Sequence, residues 1–156
     1  MQYLFIPMTE HYAREIVDNW HYAREYSFYD MDADEKDLAI FMNRDYWETI
    51  TFAVLNDENE LAGWATFYEE GDIIWLSLGM KPALTGKGLG QGFVSACISH
   101  ARSNPAFFKP IMKLDVAEFN ERALKVYQRA GFVESERIVT KTHVGDVPFI
   151  RMERML

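Results

Sequence analysis

The stretch LGMKPALTGKGLGQG, from Leu78 to Gly92, decides the fold of this chain. An apolar run that begins at Ile73 precedes it and a pattern of helical spacing follows, so a strand enters a glycine-rich turn that opens a helix. Glycine lets the backbone approach a ligand closely, and a helix N-terminus supplies unpaired N–H groups and the positive end of the helix dipole. Together with Lys87, these features predict an anion site suited to phosphate.

Two common phosphate-binding motifs do not fit the spacing of these glycines. A P-loop places four residues between its first glycine and a Gly-Lys pair that precedes Ser or Thr, whereas Gly88 follows Lys87 here. The dinucleotide-binding pattern Gly-x-Gly-x-x-Gly is not completed from Gly86 or from Gly88, because in neither case does a glycine stand at the last position. The other interpretation is a turn whose glycines only let the helix pack closely against the strand, but four alternating glycines exceed what such a turn needs.

Composition indicates one soluble domain over residues 1–156, with 49% hydrophobic and 26% charged residues. The net charge of -8 argues against nucleic-acid and membrane partners, which need a basic surface, and is compatible with a cationic substrate. The single cysteine, Cys97, excludes an intramolecular disulfide. Because no signal peptide and no membrane span is evident, we expect a cytoplasmic protein, and no metal cofactor.

Periodicity along the chain predicts an α+β fold. Helices are expected over residues 10–20, 32–46, 88–103 and 120–130, and strands over residues 2–7, 49–55, 61–68, 73–80, 111–117, 132–144 and 147–155. This order predicts a central twisted mixed sheet of about seven strands, flanked by helices in α/β/α-like layers. We expect a monomer or a homodimer, and the last strand is a candidate for pairing across a dimer, although nothing in its residues requires it.

The segment from Trp20 to Asp30 is dense in aromatic side chains that charged residues interrupt. One interpretation is a loop or irregular helix that caps the core. The other is a wall of an acceptor pocket, in which aromatic rings and carboxylates hold a cationic amine. In that case Trp20, Tyr26 and Tyr29 are the candidate substrate-binding residues.

A second informative segment, LDVAEFNERALKVYQRAGF, spans residues 114–132. It reads as a strand, an Asn at a helix start, a Tyr two turns later, and a glycine that ends the helix. Taken alone, these residues favour a helix N-cap role for Asn120 and a buried packing role for Tyr127.

The two segments together resemble the GNAT family of acetyl-CoA-dependent N-acyltransferases. The first is similar to the acetyl-CoA signature, a strand and a Pro followed by Arg/Gln-Gly-x-Gly-x-Gly/Ala, with Thr85 in place of the Arg or Gln. The second is similar to the family pattern Asn-x-x-Ala-x-x-aliphatic-Tyr-x-x-x-Gly-Phe at every marked position. The resemblance covers about residues 72–132, and it implies a sheet with a bulge or splay at the acetyl-CoA site.

The resemblance also implies roles for individual residues. Backbone N–H groups of the glycine loop would hold the coenzyme A pyrophosphate, the preceding strand would pair with the pantetheine arm, and Tyr127 would protonate the leaving thiolate. Without the family's Arg, one charge-assisted contact to phosphate is missing. The implied cofactor-binding residues are Leu78, Gly79, Met80, Thr85, Gly86, Lys87, Gly88, Leu89, Gly90, Asn120 and Tyr127.

Direct acetyl transfer to an amine that arrives protonated needs a group that removes a proton. Asp115, five residues before Asn120, is the first candidate, because the branch of the family that acetylates N-terminal alanine has a Glu at the matching position. Glu118 is the second candidate, and Glu69 or Glu70 the third. A surface role for Asp115 is the alternative.

The acceptor is expected to be a small cationic amine or a protein N-terminus. The acidic, aromatic N-terminal third of the chain favours the small amine. The alternative function is a non-catalytic module that senses acyl-CoA or docks a partner.

Overall fold

A computed structural model describes residues 2–156 as a seven-stranded mixed sheet flanked by helices, which confirms the predicted α+β fold. The strands are β1 (Leu4–Pro7), β2 (Thr51–Leu55), β3 (Leu61–Glu70), β4 (Ile73–Met80), β5 (Ile111–Ala117), β6 (Val133–Thr142) and β7 (Gly145–Met155). The α-helices are α1 (Glu10–Asn19), α2 (Glu35–Phe41), α3 (Arg44–Trp47), α4 (Gly90–Ser103) and α5 (Glu121–Arg129). Short 3-10 helices span Arg24–Tyr29 and Pro82–Leu84.

The helix predicted over residues 32–46 is wrong in one respect, since it consists of two short helices, α2 and α3. The Asn43 side chain accepts a hydrogen bond from the Asp45 N–H at 3.0 Å and so starts α3 afresh. The Trp47 indole donates to the Phe41 carbonyl at 2.7 Å, which ties the second helix back to the end of the first. None of the helices within residues 2–156 combines the length and apolar character needed to cross a membrane.

The sheet opens between its two central strands. The strand order is β1-β2-β3-β4-β5-β7-β6, and β4 and β5 are the parallel pair. They pair only where Ile73–Trp75 lies beside Ile111–Lys113, so the later part of β4 faces a gap instead of β5. The β3–β4 ladder runs unbroken to Met80, and the register shifts that mark bulges lie in the β2–β3 and β6–β7 ladders. The predicted irregularity is therefore a splay, which we call the β4–β5 gap.

Strand β7 is an interior strand. It pairs with β5 on one side and with β6 on the other. A strand with both edges hydrogen-bonded has no free backbone groups for another chain. The expectation that the last strand pairs across a dimer is therefore wrong, and β1 and β6 are the edges of this sheet.

Apolar side chains cover both faces of the sheet. One cluster packs α4 against the sheet and includes Phe67, Phe93 and Met112, while the other packs α1, α2 and α3 against β2. Gly79 belongs to this packing as well as to the predicted cofactor strand, because a Cβ there would collide with the Trp64 indole. Tight packing of the sheet therefore also requires glycine at this position.

Candidate cofactor and acceptor site

The glycine-rich loop leaves β4 and ends at an uncapped helix. Gly86 and Gly88 adopt φ values of +71° and +77°, a left-handed conformation that glycine adopts readily and other residues avoid. Helix α4 then begins at Gly90, and the residue before it, Leu89, supplies no side-chain cap. The first N–H groups of α4 are therefore directed out of the helix end, as an anion site requires.

The side chain at the position of the missing Arg turns back into the loop. The Thr85 hydroxyl donates to the Pro82 carbonyl at 2.7 Å, so it stabilises the 3-10 helix that precedes it. Lys87 is exposed. Another cation comes from α5, where the Arg122 guanidinium lies beside Gly86 and over the Tyr26 ring, 4.5 Å from the ring centroid. Sequence analysis did not single out Arg122.

Asn120 and Tyr29 meet at the C-terminal end of β5. The Asn120 side chain accepts from the Ala123 N–H at 3.2 Å, which confirms its predicted N-cap role. The Tyr29 hydroxyl accepts from the Ala117 N–H at 3.2 Å, and the Asn120 side chain lies near it. Burial raises the pKa of Tyr29, although the nearby Asn120 side chain opposes the shift.

Tyr127 lies on α5 beside this group and packs edge to face on Phe132, with ring centroids 5.9 Å apart. Burial raises the pKa of Tyr127, and the nearby Tyr29 hydroxyl adds to the effect. The phenol therefore keeps its proton well above neutral pH. The structure thus brings together three predicted site residues, Tyr29, Asn120 and Tyr127, from two distant parts of the chain.

The aromatic segment, residues 20–30, is attached to both sides of the β4–β5 gap. The Tyr22 hydroxyl donates to the Met80 carbonyl at 2.6 Å on the β4 side, while Tyr29 is bonded to β5. The Asp30 carboxylate accepts from the Tyr22 N–H at 2.8 Å and fixes the course of the segment. The aromatic segment therefore lies beside the β4–β5 gap, and its role in an acceptor pocket stays a prediction.

Trp20 takes no part in the predicted wall. It is only 3% exposed and packs with Ile16 and Phe41 in the cluster beneath α1. Its prediction as a substrate-binding residue is wrong, because the ring continues the buried face of α1, four residues after Ile16. Tyr26 and Tyr29, in contrast, lie beside the predicted cofactor residues.

A cavity of about 550 Å³ lies between the aromatic segment and the β6–β7 turn. The Phe28 ring stacks on His143 at 5.1 Å and meets Phe119 edge to face at 5.6 Å. The cavity is mainly apolar, and its lining residues are Glu25, Ser27, Phe28, Ala33, Phe119, His143, Val144 and Val147. Sequence analysis did not predict that His143, Val144 and Val147 line a site with the aromatic segment, because only the pairing of β6 with β7 brings their hairpin turn beside that segment.

The first candidate base, Asp115, is held in an ion pair. Arg151 donates to its two carboxylate oxygens at 2.9 and 3.1 Å, and the guanidinium also lies over Trp75, 4.8 Å from the ring centroid. The second candidate, Glu118, is bound in the same way by Arg137, at 3.1 and 3.0 Å. The hydrogen bond from Arg137 lowers the pKa of Glu118.

Glu69 and Glu70 lie at the closed end of the β4–β5 gap, away from the predicted cofactor residues, which argues against either one as the base. They pair with Ile74 and Ile73 at the start of β4, whereas the predicted cofactor residues begin at Leu78. Leu78 comes four positions after Ile74 along the strand, a distance of about 13 Å. The hairpin register, which the sequence alone does not fix, places both carboxylates at the wrong end of the strand.

His21, Asp30 and Asp32 form a cluster whose ligand atoms lie within 4.8 Å of one another. His21 Nδ1 lies 3.1 Å from Asp30, and Nε2 lies 2.9 Å from the Asp18 carbonyl. Both ring nitrogens therefore face acceptors, and the hydrogen bond to Asp30 raises the pKa of His21. The hydrogen bonds of Asp30 with His21 and with the Tyr22 N–H make the cluster an anchor of the aromatic segment.

Comparison with known proteins identifies a family for this chain. The family model described as "Acetyltransferase (GNAT) family" matches residues 10–132. Comparison with curated protein sequences finds no match.

The similar solved structures include spermidine N-acetyltransferases of Vibrio cholerae. A chimera of that enzyme, SpeG, with hSSAT is 18% identical, with a TM-score of 0.76 over 99% of this chain and 96% of that chain. The V. cholerae enzyme in complex with CoA and spermine is 16% identical, with a TM-score of 0.72 over 99% and 95%. The same enzyme in complex with manganese ions is 19% identical, with a TM-score of 0.71 over 99% and 92%.

At these identities the structural likeness establishes the fold and nothing finer. The family match rests on the chain's own sequence and covers most of it, including the glycine loop, Asn120 and Tyr127. This chain therefore belongs to the acetyltransferase (GNAT) family.

Proposed function

We propose that this protein transfers an acetyl group from acetyl-CoA to a primary amine, with both substrates bound at once. The observation that carries the proposal is the β4–β5 gap, which has a glycine-rich helix start at its β4 end and the Asn120–Tyr127 group at its β5 end. The edge of β4 that faces the gap lacks a partner strand, and an extended amide-bearing arm such as pantetheine supplies matching hydrogen-bonding groups.

The glycine loop would hold the phosphates of acetyl-CoA, which serves as cosubstrate. Backbone N–H groups from Gly86 to Gly90 and the positive end of the α4 dipole favour an anion at this place. The arm would then run along Leu78–Met80 toward Asn120. This path uses backbone groups for the most part, so it tolerates Thr85 at the position of the family's Arg.

In the chemical step, the neutral amine attacks the thioester carbonyl, a C–N bond forms, and the C–S bond breaks. The leaving thiolate takes a proton from Tyr127, which burial keeps protonated. The proton that the ammonium group of the acceptor loses before attack goes to a carboxylate or to solvent. The attacking nitrogen carries an extra proton once the C–N bond has formed and releases it to solvent, and Tyr127 regains a proton from solvent after the thiol leaves.

Asp115 is our candidate for the base that accepts the proton of the acceptor. Since both of its oxygens accept from Arg151, it would act through a water molecule bound to a remaining lone pair. This ion pairing, and that of Glu118, are the observations that favour the second candidate function, a non-catalytic acyl-CoA sensor. The two functions differ in turnover and not in cofactor binding.

The acceptor would enter through the aromatic cavity beside the β6–β7 turn. Aromatic faces such as Phe28 and Phe119 attract an ammonium group, and the Glu25 carboxylate supplies a counter-charge. We therefore propose a small cationic amine as acceptor. Spermidine and spermine head the list of compounds to test, because the superposed structures are named for them.

The test is a thiol-release assay with acetyl-CoA and a panel of polyamines, monoamines, amino sugars and peptides with free N-termini. We expect turnover with small amines, and a higher KM for the amine with little change in kcat in Phe119→Ala. Phe108→Ala removes a phenylalanine of similar exposure outside the cavity and is the matched control. Acetyl-CoA binding without turnover on any amine would favour the sensor.

A further inference from the structure

The glycine loop of this chain lacks the cationic or amide side chain that its signature position supplies elsewhere in the family. Thr85 occupies that position, and its hydroxyl is engaged with the Pro82 carbonyl. A hydroxyl that is already donating within its own turn adds no charge to a phosphate site. Lys87 is the loop's own cation, and the negatively charged phosphate groups of a CoA ligand would gain a second charge-assisted contact from a cation on another element.

Arg122 on α5 reaches this position from the other side of the β4–β5 gap. Its Nη1 atom lies 3.5 Å from the point where a Cβ on Gly86 would stand. Arg122 and Thr85 line one cavity of about 260 Å³, together with Pro82 and Ala83 of the loop. The Arg122 guanidinium thus lies beside the loop backbone next to Thr85, whose side chain is short and neutral.

The Arg122 guanidinium is held in place without being neutralised. It lies over the Tyr26 ring, 4.5 Å from the centroid, and takes part in no ion pair among residues 2–156. A guanidinium that lies over an aromatic face keeps its edge N–H donors available. In contrast, Arg137 and Arg151 on the neighbouring strands are each bound to a carboxylate.

We propose that Arg122 binds a phosphate of the CoA cosubstrate and takes over the contact that an Arg or Gln at position 85 would make. This inference rests on the proposed function, since it assumes CoA binding at the glycine loop. Tyr26 then positions the guanidinium and does not bind the acceptor. The phosphate is either the pyrophosphate or the ribose 3'-phosphate, and both offer oxygens that accept a forked pair of hydrogen bonds.

The test compares the CoA affinity of the wild-type chain, Arg122→Gln and Arg122→Ala by calorimetric titration. A charge-assisted phosphate contact predicts a rise in Kd of about 10- to 100-fold in both variants. Arg122→Gln keeps most of the aliphatic stem and so guards against an effect of lost packing. The control is Arg129→Ala, which removes an exposed arginine from the last turn of the same helix and leaves Kd unchanged.

Truncated ligands separate a phosphate contact from a structural role. With S-acetylpantetheine, which has no phosphate, kcat/KM is expected to be equal in the wild type and in Arg122→Gln. Dephospho-CoA, which lacks the 3'-phosphate, shows which phosphate Arg122 contacts. If Arg122 contacts the pyrophosphate, the variant's loss of affinity persists with this ligand. If it contacts the 3'-phosphate, the loss vanishes. An equal loss with S-acetylpantetheine would mean that Arg122 only supports the fold, and would overturn the inference.

A rescue experiment tests the exchange of roles between the two positions. Adding Thr85→Arg to Arg122→Ala is expected to recover at least tenfold in CoA affinity. Unchanged CoA affinity in both Arg122 variants would overturn the inference and leave the proposed function intact. Failure of the wild-type chain itself to bind CoA would overturn both.

Discussion

Replacement of Tyr127 by phenylalanine removes one oxygen from the proposed reaction centre. The phenyl ring keeps its edge-to-face contact with Phe132 at 5.9 Å, so the free energy of unfolding is expected to change by less than about 0.5 kcal/mol. General acid catalysis contributes about 10²- to 10⁴-fold to a rate. A thiol has a pKa of about 8.5 and leaves comparatively well without a proton, so we expect the lower end, about 100-fold in kcat.

The dependence of this loss on pH distinguishes acid catalysis from a packing effect. Burial raises the pKa of Tyr127 above the model-compound value of 10.0, so the wild-type phenol stays protonated from pH 7 to pH 9. Over the same range the thiolate becomes stable in water, and the benefit of protonating it declines. The ratio of wild-type kcat to Tyr127→Phe kcat is therefore expected to fall as pH rises.

The assay is thiol release at saturating acetyl-CoA and amine, with CoA affinity measured separately by calorimetry. Tyr68→Phe, which removes a hydroxyl from a half-exposed tyrosine of β3, is the matched control and should behave as wild type. We expect Tyr127→Phe to bind CoA as tightly as wild type. A wild-type kcat in this variant, or a 100-fold loss that does not change with pH, would refute the acid role.

Three further predictions concern packing, the candidate base and the buried thiol. Gly79→Ala should lower the free energy of unfolding, measured in urea, by about 1–3 kcal/mol, because the new Cβ would collide with Trp64. Gly92→Ala is the control: its new Cβ meets no other part of the fold within 4 Å, so it should raise the free energy of unfolding by up to about 1 kcal/mol. Equal effects of the two substitutions would contradict the packing account. Asp115→Asn should lower kcat/KM for the amine about 10- to 100-fold at pH 7, and a pH profile should show partial recovery at pH 9, where more of the amine is neutral. Arg151→Gln breaks the same ion pair and should retain most of the activity. A loss in Arg151→Gln that matches the loss in Asp115→Asn would indicate a structural role for Asp115. Burial raises the pKa of the Cys97 thiol and shields it, so a thiol reagent should modify it only in urea, and rapid labelling of the native chain would show that α4 opens.

The sequence predicted the strands and helices around the glycine loop and Asn120 well because its signals there are local. The glycine loop lies directly between β4 and α4, and the Asn120 cap begins α5 three residues before its hydrogen-bond donor. The bounds of β4 and β5 match those expected from periodicity. Residues a few positions apart along a strand or helix keep a fixed spatial relation, so the sequence of a short motif within one element predicts how its residues are arranged in the structure.

The proposed acceptor side depends on contacts between distant residues, and the sequence did not reveal them. The partners of the Tyr22 and Tyr29 hydroxyls are 58 and 88 residues away along the chain, and Arg151 is 36 residues from the carboxylate that it binds. Strand register decides such pairs, and a shift of one residue would send each side chain to the other face. Trp20 is different, since its spacing of four from Ile16 already indicated the buried face of α1.

The most direct test of the account is an amide NMR titration of the chain with CoA. We expect the N–H signals of Gly86, Gly88 and Gly90 to shift most, together with those of Leu78–Met80, while signals of the distant edge strand β1 stay in place. Such a pattern would locate the cosubstrate at the glycine loop and along the β4–β5 gap. The absence of shifts at saturating CoA, or shifts confined to other elements, would contradict the central claim that this gap holds the cofactor.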